Sequence, residues 1–142
     1  DCRILGKEAF PRNWWVVNLL DSGRVELVLG GGTQAGASVR PVSKTVLVAG
    51  TWSHVAFVVD RANRNIRCYL NGVLDTTTKI PNTFTASLDV EGRDLLIPTP
   101  HKPFSGLFDE LAIYRRTLAD DEVRTRYERE SRGRTAGPQK SR

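Results

Sequence analysis

Apolar and polar residues alternate with a period of two over most of the chain. Trp14-Trp15-Val16-Val17-Asn18-Leu19-Leu20 is separated by Asp21-Ser22-Gly23 from Arg24-Val25-Glu26-Leu27-Val28-Leu29, in which Val25, Leu27 and Leu29 share one face. Two such runs around a turn triplet predict an antiparallel hairpin. A second hairpin runs from His54–Asp60 through Arg61-Ala62-Asn63-Arg64-Asn65 into Ile66–Leu70. Asn71-Gly72 then offers two residues that tolerate positive φ, which predicts a type I′ turn into Val73-Leu74-Asp75. Leu107–Tyr114 again reads as a strand. Gly30–Ser38, Pro81–Val90 and the segment around Pro98, Pro100 and Pro103 read as loops.

One stretch changes period. Ala119, Val123 and Tyr127 fall at i, i+4, i+8, with Asp120, Asp121 and Glu122 in the first turn and Thr117 as the expected cap. The pattern predicts an all-β, antiparallel two-sheet β-sandwich of the jelly-roll type with one short C-terminal helix. A parallel α/β sheet is excluded, because no crossover helix separates the strands.

The chain has 142 residues, a single domain's worth, and no apolar run approaches a membrane span. Its net charge of +5 comes from 21 basic and 16 acidic residues. Four of the basic residues, and no acid, lie in Ser131–Arg142, so the remainder is almost neutral. The expected division is a folded domain over 1–130 and a basic disordered tail or linker over 131–142. A tail of cations without aromatics gives no specific nucleic-acid site. Cys2 and Cys68 are too far apart for a CxxC motif. They pack as free thiols or close a long loop as a disulfide, and the residues leave both open.

Four segments in order resemble a known family: Gly50-Thr51-Trp52-Ser53-His54-Val55-Ala56, Ile66–Gly72, Phe104–Tyr114 and Arg116–Val123. Over roughly residues 3 to 130 the chain resembles the laminin G-like, concanavalin A-like lectin/glucanase jelly-roll domains. Trp52, His54, Tyr69, Asn71, Gly72, Gly106, Asp109 and Glu110 are the positions that carry the motif. Trp52 is expected to begin a strand and fill the space between the sheets. One of Asp109 and Glu110 is expected to face inward and accept hydrogen bonds, a structural rather than catalytic role. The resemblance also implies strands ahead of Ile4-Leu5-Gly6-Lys7. The chain is therefore expected to be an N-terminally incomplete jelly roll, to leave the Phe108–Tyr114 strand without its partner, and to self-associate.

Hydrolases of this fold place carboxylates as E-x-D-x-x-E on one strand, so that alternate side chains reach one cleft. The chain has no such run; Asp89-Val90-Glu91 falls in a loop. We therefore read the domain as no enzyme. Relatives of the fold bind calcium through loop oxygens, and Asp21, Asp60 and Asp75 at turns are the candidate ligands, although turn aspartates also serve their own backbone. No other cofactor is indicated. Adjacent strand residues point to opposite faces, so one of Trp14 and Trp15 belongs to the core and the other is a candidate platform for a sugar ring. Arg12, Asn13 and Asn18 are the polar residues nearest to it. The expected function is recognition of a glycan or an extracellular protein, within a larger extracytoplasmic protein, secreted or in the cell envelope, that supplies neighbouring domains. The alternative is a spacer in a multidomain envelope protein with no ligand of its own.

Overall fold

The computed structural model describes residues 1–9, 12–31 and 38–132. Two antiparallel sheets form the sandwich. The first holds β1 (Cys2–Ala9), β2 (Asn13–Leu19), β3 (Val25–Gly31) and β4 (Ser38–Val39) in chain order. The second holds β5 (Val55–Asp60), β6 (Asn65–Leu70) and β7 (Val73–Lys79), also in chain order. Both predicted hairpins are present: Trp15 faces Leu29 and Val17 faces Leu27 across β2–β3, and Phe57 faces Cys68 across β5–β6. Asn71 and Gly72 turn with φ of 50° and 75°, a pair that an asparagine and a glycine adopt at little cost.

The core lies between the sheets. Leu27, Leu29 and Val39 of the first meet Ile66 of the second, closed by Ile80 and Phe84 from the segment after β7. Val25, Cys68 and Leu70 fill the neighbouring layer. The outer face of the second sheet is covered by α1 (Asp120–Ser131), whose Val123 packs with Val58 and Tyr69. Asp120 accepts bonds from the Tyr69 hydroxyl (2.7 Å) and from Arg67. The helix starts at Ala119 rather than at Thr117. Glu122 takes over the capping, its carboxylate accepting the Ala119 N–H at 2.8 Å while Arg116 holds it from the other side.

Three expectations are corrected. Leu107–Tyr114 is not a strand: it is irregular and exposed throughout, with Leu107, Phe108, Leu111, Ile113 and Tyr114 all on the surface. Alternation makes a segment fit for a sheet, but pairing needs a neighbouring edge, and no described strand supplies one. Gly106, Asp109 and Glu110 are accordingly exposed, and Asp109 accepts the Glu110 N–H instead of facing inward. Trp52 precedes β5 as a half-buried residue of an irregular segment and is not part of the core. Cys2 and Cys68 are both free, Cys2 on β1 of the first sheet and Cys68 buried on β6 of the second. Residues 133–142, most of the expected tail, lie outside the described residues, as do 32–37 of the glycine loop.

Candidate functional site

The two adjacent tryptophans separate as strand geometry demands. Trp15 packs against the core cluster, whereas Trp14 points away from it, onto the outer face of the first sheet. There it belongs to a row running across all four strands, Glu8–Trp14–Gly30–Ser38. The indole lies on Gly30, where an added Cβ would stand 2.1 Å from Cε2 and Cζ2 of the ring. Glycine at this position is what lets an aromatic plane rest on the sheet.

The same face carries a network of charged groups. Glu26 is only 4% exposed, and its carboxylate is held at both oxygens. Arg40 Nε donates to Oε1 (2.9 Å) and Arg40 Nη2 to Oε2 (3.0 Å), while Asn18 Nδ2 donates to Oε2 (2.9 Å). Such a two-point pair is the strong form of a carboxylate–guanidinium contact, and hydrogen bonding to Glu26 raises the Arg40 pKa above its ordinary value. Arg3 Nη1 donates to Glu8 Oε1 at 2.7 Å. Asn18 Oδ1 is buried without a hydrogen-bond partner.

Beyond the Trp14 row, at the β1–β2 end of the sandwich, a cleft of about 320 Å³ is lined by Ala9, Arg12, Asn13, Ser87, Asp89 and Glu91. Asn13 forms its wall, donating to the carbonyl oxygens of Ser87 (3.4 Å) and Asp89. Trp14, Asn13 and Arg12 are thus at one end of the sheet. Asn18 stands four residues further along β2 and is engaged by Glu26. Trp15 is withdrawn into the core. Arg3, Glu8, Glu26 and Arg40 were not singled out in the sequence. The available signal was Glu26, a charged residue inside the apolar run of β3, whose outward face requires partners.

The three turn aspartates are engaged separately. Asp21 accepts from the amino terminus, which lowers its pKa. Asp60 accepts from the backbone and side chain of Asn63 at 2.9 and 2.8 Å, and its pKa is lowered by those bonds. Asp75 accepts from the backbone N–H groups of Lys44 and Thr45; burial pushes its pKa up, and these bonds outweigh it to leave it lowered. Among the described residues no three His, Cys, Asp or Glu side chains come together as a metal set. The structure therefore does not assemble the expected calcium ligands.

Four of the motif residues, His54, Tyr69, Asn71 and Gly72, meet around the β6–β7 turn and under α1. The Asn71 side chain accepts the His54 N–H at 2.9 Å and so closes the turn onto β5. Gly72 makes room for Tyr127, whose ring carbon would stand 2.8 Å from an added Cβ. His54 sits under the end of α1, with Nε2 3.9 Å from Glu130 and its ring 5.8 Å from that of Tyr127. Tyr69 is fully buried beneath Val123.

Two solved structures share this architecture, both of the CBM40 domain of Ruminococcus gnavus IT-sialidase. The complex with α2,3-sialyllactose superposes with a TM-score of 0.71 at 20% identity, covering 88% of this chain and 73% of that one. The complex with α2,6-sialyllactose gives 0.68 at 21% identity, covering 87% and 72%. No curated protein matches the chain significantly. A family model, that of the concanavalin A-like lectin/glucanases superfamily, matches residues 3–124. The sandwich, its two hairpins and its closing helix therefore place this chain in the concanavalin A-like lectin/glucanase superfamily.

Proposed function

We propose that the domain is a non-catalytic carbohydrate-binding module, and that it binds its ligand on the outer face of the four-stranded sheet at the Trp14 end. The observation that carries this reading is the indole of Trp14, turned away from the core and resting on Gly30. It is bordered by Glu8 and Ser38 in its row. A sugar ring has an apolar face and a rim of hydroxyls, and an aromatic plane flanked by short polar side chains matches both. The cleft of Arg12, Asn13, Ser87, Asp89 and Glu91 opens at the same end of the sheet but on the side of Asn13, which alternation turns away from Trp14. The solved relatives are described bound to sialylated lactose, which supports a glycan as the class of ligand. Asp89 and Glu91, the carboxylates of the cleft, are exposed loop residues, and binding rather than hydrolysis is the role we give them.

We further propose an extracytoplasmic setting, on the family resemblance. Protease accessibility on intact cells tests it, and protection until lysis would contradict it. A glycan microarray probed with the folded domain tests binding. Discrete glycans retained by the wild type and lost in Trp14→Ala are expected. Retention unchanged in Trp14→Ala would remove the site, and no retention at all would favour the spacer.

A further inference from the structure

We infer that Arg40 is a second contact for the glycan and Glu26 its positioning residue, so that the face takes an oligosaccharide rather than a single sugar. The inference rests on the binding face proposed above. Arg40 follows β4 directly, and the chain keeps to the edge of β3 beyond it: Leu27 N–H donates to the Pro41 carbonyl at 3.0 Å, and Glu26 bridges to Val42. Ser38 lies in the Trp14 row, so alternation puts Arg40 on the same outer face, one row further along.

The two ends of the Arg40–Glu26 pair differ. The Glu26 side chain is 6% exposed and that of Arg40 57%. Nε and Nη2 of Arg40 are given to the carboxylate, and among the described residues no partner takes Nη1. A buried charge pair adds little net stability over apolar side chains of the same size, and what it does supply is a fixed geometry. Asn18 holds the carboxylate from the other strand, so the guanidinium is seated before any ligand arrives. An arginine only donates, and sugar hydroxyl and acetamido oxygens accept. The indole rests on Gly30 and the guanidinium is bound at Glu26, four residues along β3 or about 13 Å, more than one sugar ring spans. A ring stacked on Trp14 therefore leaves Arg40 to a neighbouring ring.

The probes are lactose, both sialyllactoses and the trisaccharides of glucose, mannose and N-acetylglucosamine, each titrated beside its component monosaccharides. The wild type is expected to bind at least one oligosaccharide about tenfold more tightly than any of its single rings, the size of a hydrogen bond to a charged donor. Arg40→Ala should remove that gain and leave monosaccharide binding unchanged. Glu26→Gln should weaken oligosaccharide binding in the wild type and have no further effect in Arg40→Ala, with Tm followed for every variant. Arg40→Lys keeps the charge but not the fork that Glu26 holds, and is expected to lose most of the gain. Equal loss from Glu26→Gln in both backgrounds, or full binding by Arg40→Lys, would overturn the positioning role of Glu26. Full oligosaccharide binding by Arg40→Ala, with loss in Trp14→Ala, would overturn the second contact and leave the proposed face standing. Binding that survives Trp14→Ala, or no binding of any probe, would overturn the face itself and this inference with it.

Discussion

Replacing Gly30 by alanine tests the seating of Trp14 without touching the indole. A Cβ at residue 30 would lie 2.1 Å from Cε2 and Cζ2 and 2.5 Å from Cδ2 of that ring. Carbon atoms rest at about 3.5–4.0 Å, so the ring must rise by about 1.5 Å or swing off the sheet. Lifting it returns about 60 Å² of apolar surface to water, a loss of about 1.5 kcal/mol. Replacing a strand glycine by alanine gains about 0.5–1 kcal/mol in the unfolded-state term. Gly30→Ala is therefore expected to destabilise the wild type by about 0.5–1 kcal/mol, a change of a few degrees in Tm for a domain of this size. In a Trp14→Ala background the ring is absent and the same substitution is expected to stabilise by a similar amount. The cycle of four proteins, unfolded in urea, should give a coupling of about 1.5 kcal/mol. Additivity to within about 0.4 kcal/mol would refute the reasoning, since only contacting residues couple beyond that level.

Other expectations follow from the same structure. Burial pushes the Cys68 thiol up to about 12, so Cys2 should alkylate well before Cys68 in the folded protein, and the intact mass should show two reduced thiols; a disulfide in the purified domain would contradict the structure. Burial lowers the His54 pKa, with Glu130 raising it and Arg126 lowering it to a lesser degree. The unfolded chain therefore binds a proton near pH 6.5 that the folded chain refuses, and stability should be flat above that pH and fall as the pH drops below it. Urea unfolding at pH 7.5 and 5.5 should show this drop shrinking in His54→Gln, and an equal drop in both proteins would count against it. The exposed row of Leu107, Phe108, Leu111, Ile113 and Tyr114 predicts concentration-dependent self-association, which sedimentation velocity of the wild type and of Leu107→Ser/Ile113→Ser would resolve; two identical monomeric profiles would contradict it.

Local rules carried much of the sequence reading. The period-two runs became β2–β3 and β5–β6 because each has its partner a turn away, and the register followed from which residues were apolar. Trp14 and Trp15 were separable for the same reason, since neighbours on a strand face opposite sides. Failures came where an assignment depended on distant contacts. Leu107–Tyr114 has the alternation of a strand, yet no described edge pairs with it. Whether Cys2 could meet Cys68 depended on which sheet each strand joined. Thr117 lost the cap because Arg116 pulls Glu122 back onto Ala119. In the candidate site, Trp14, Arg12 and Asn13 were legible. Arg3, Glu8 and Arg40 were not, because Arg3 and Glu8, five residues apart on β1, share a face only through the irregularity between Arg3 and Leu5, and Arg40 reaches Glu26 of β3 from beyond β4, which a linear pattern does not show.

The central claim is that Trp14, and not Trp15, meets the ligand. With the domain isotopically labelled, the three indole N–H resonances can be assigned by single Trp→Phe variants and followed while a glycan retained on the microarray is titrated in. The account predicts a saturating shift of the Trp14 indole together with the amides of Glu8, Asn13 and Ser38, while the Trp15 indole stays in place. Shifts centred on Trp52 or on α1, with Trp14 unmoved, would contradict it.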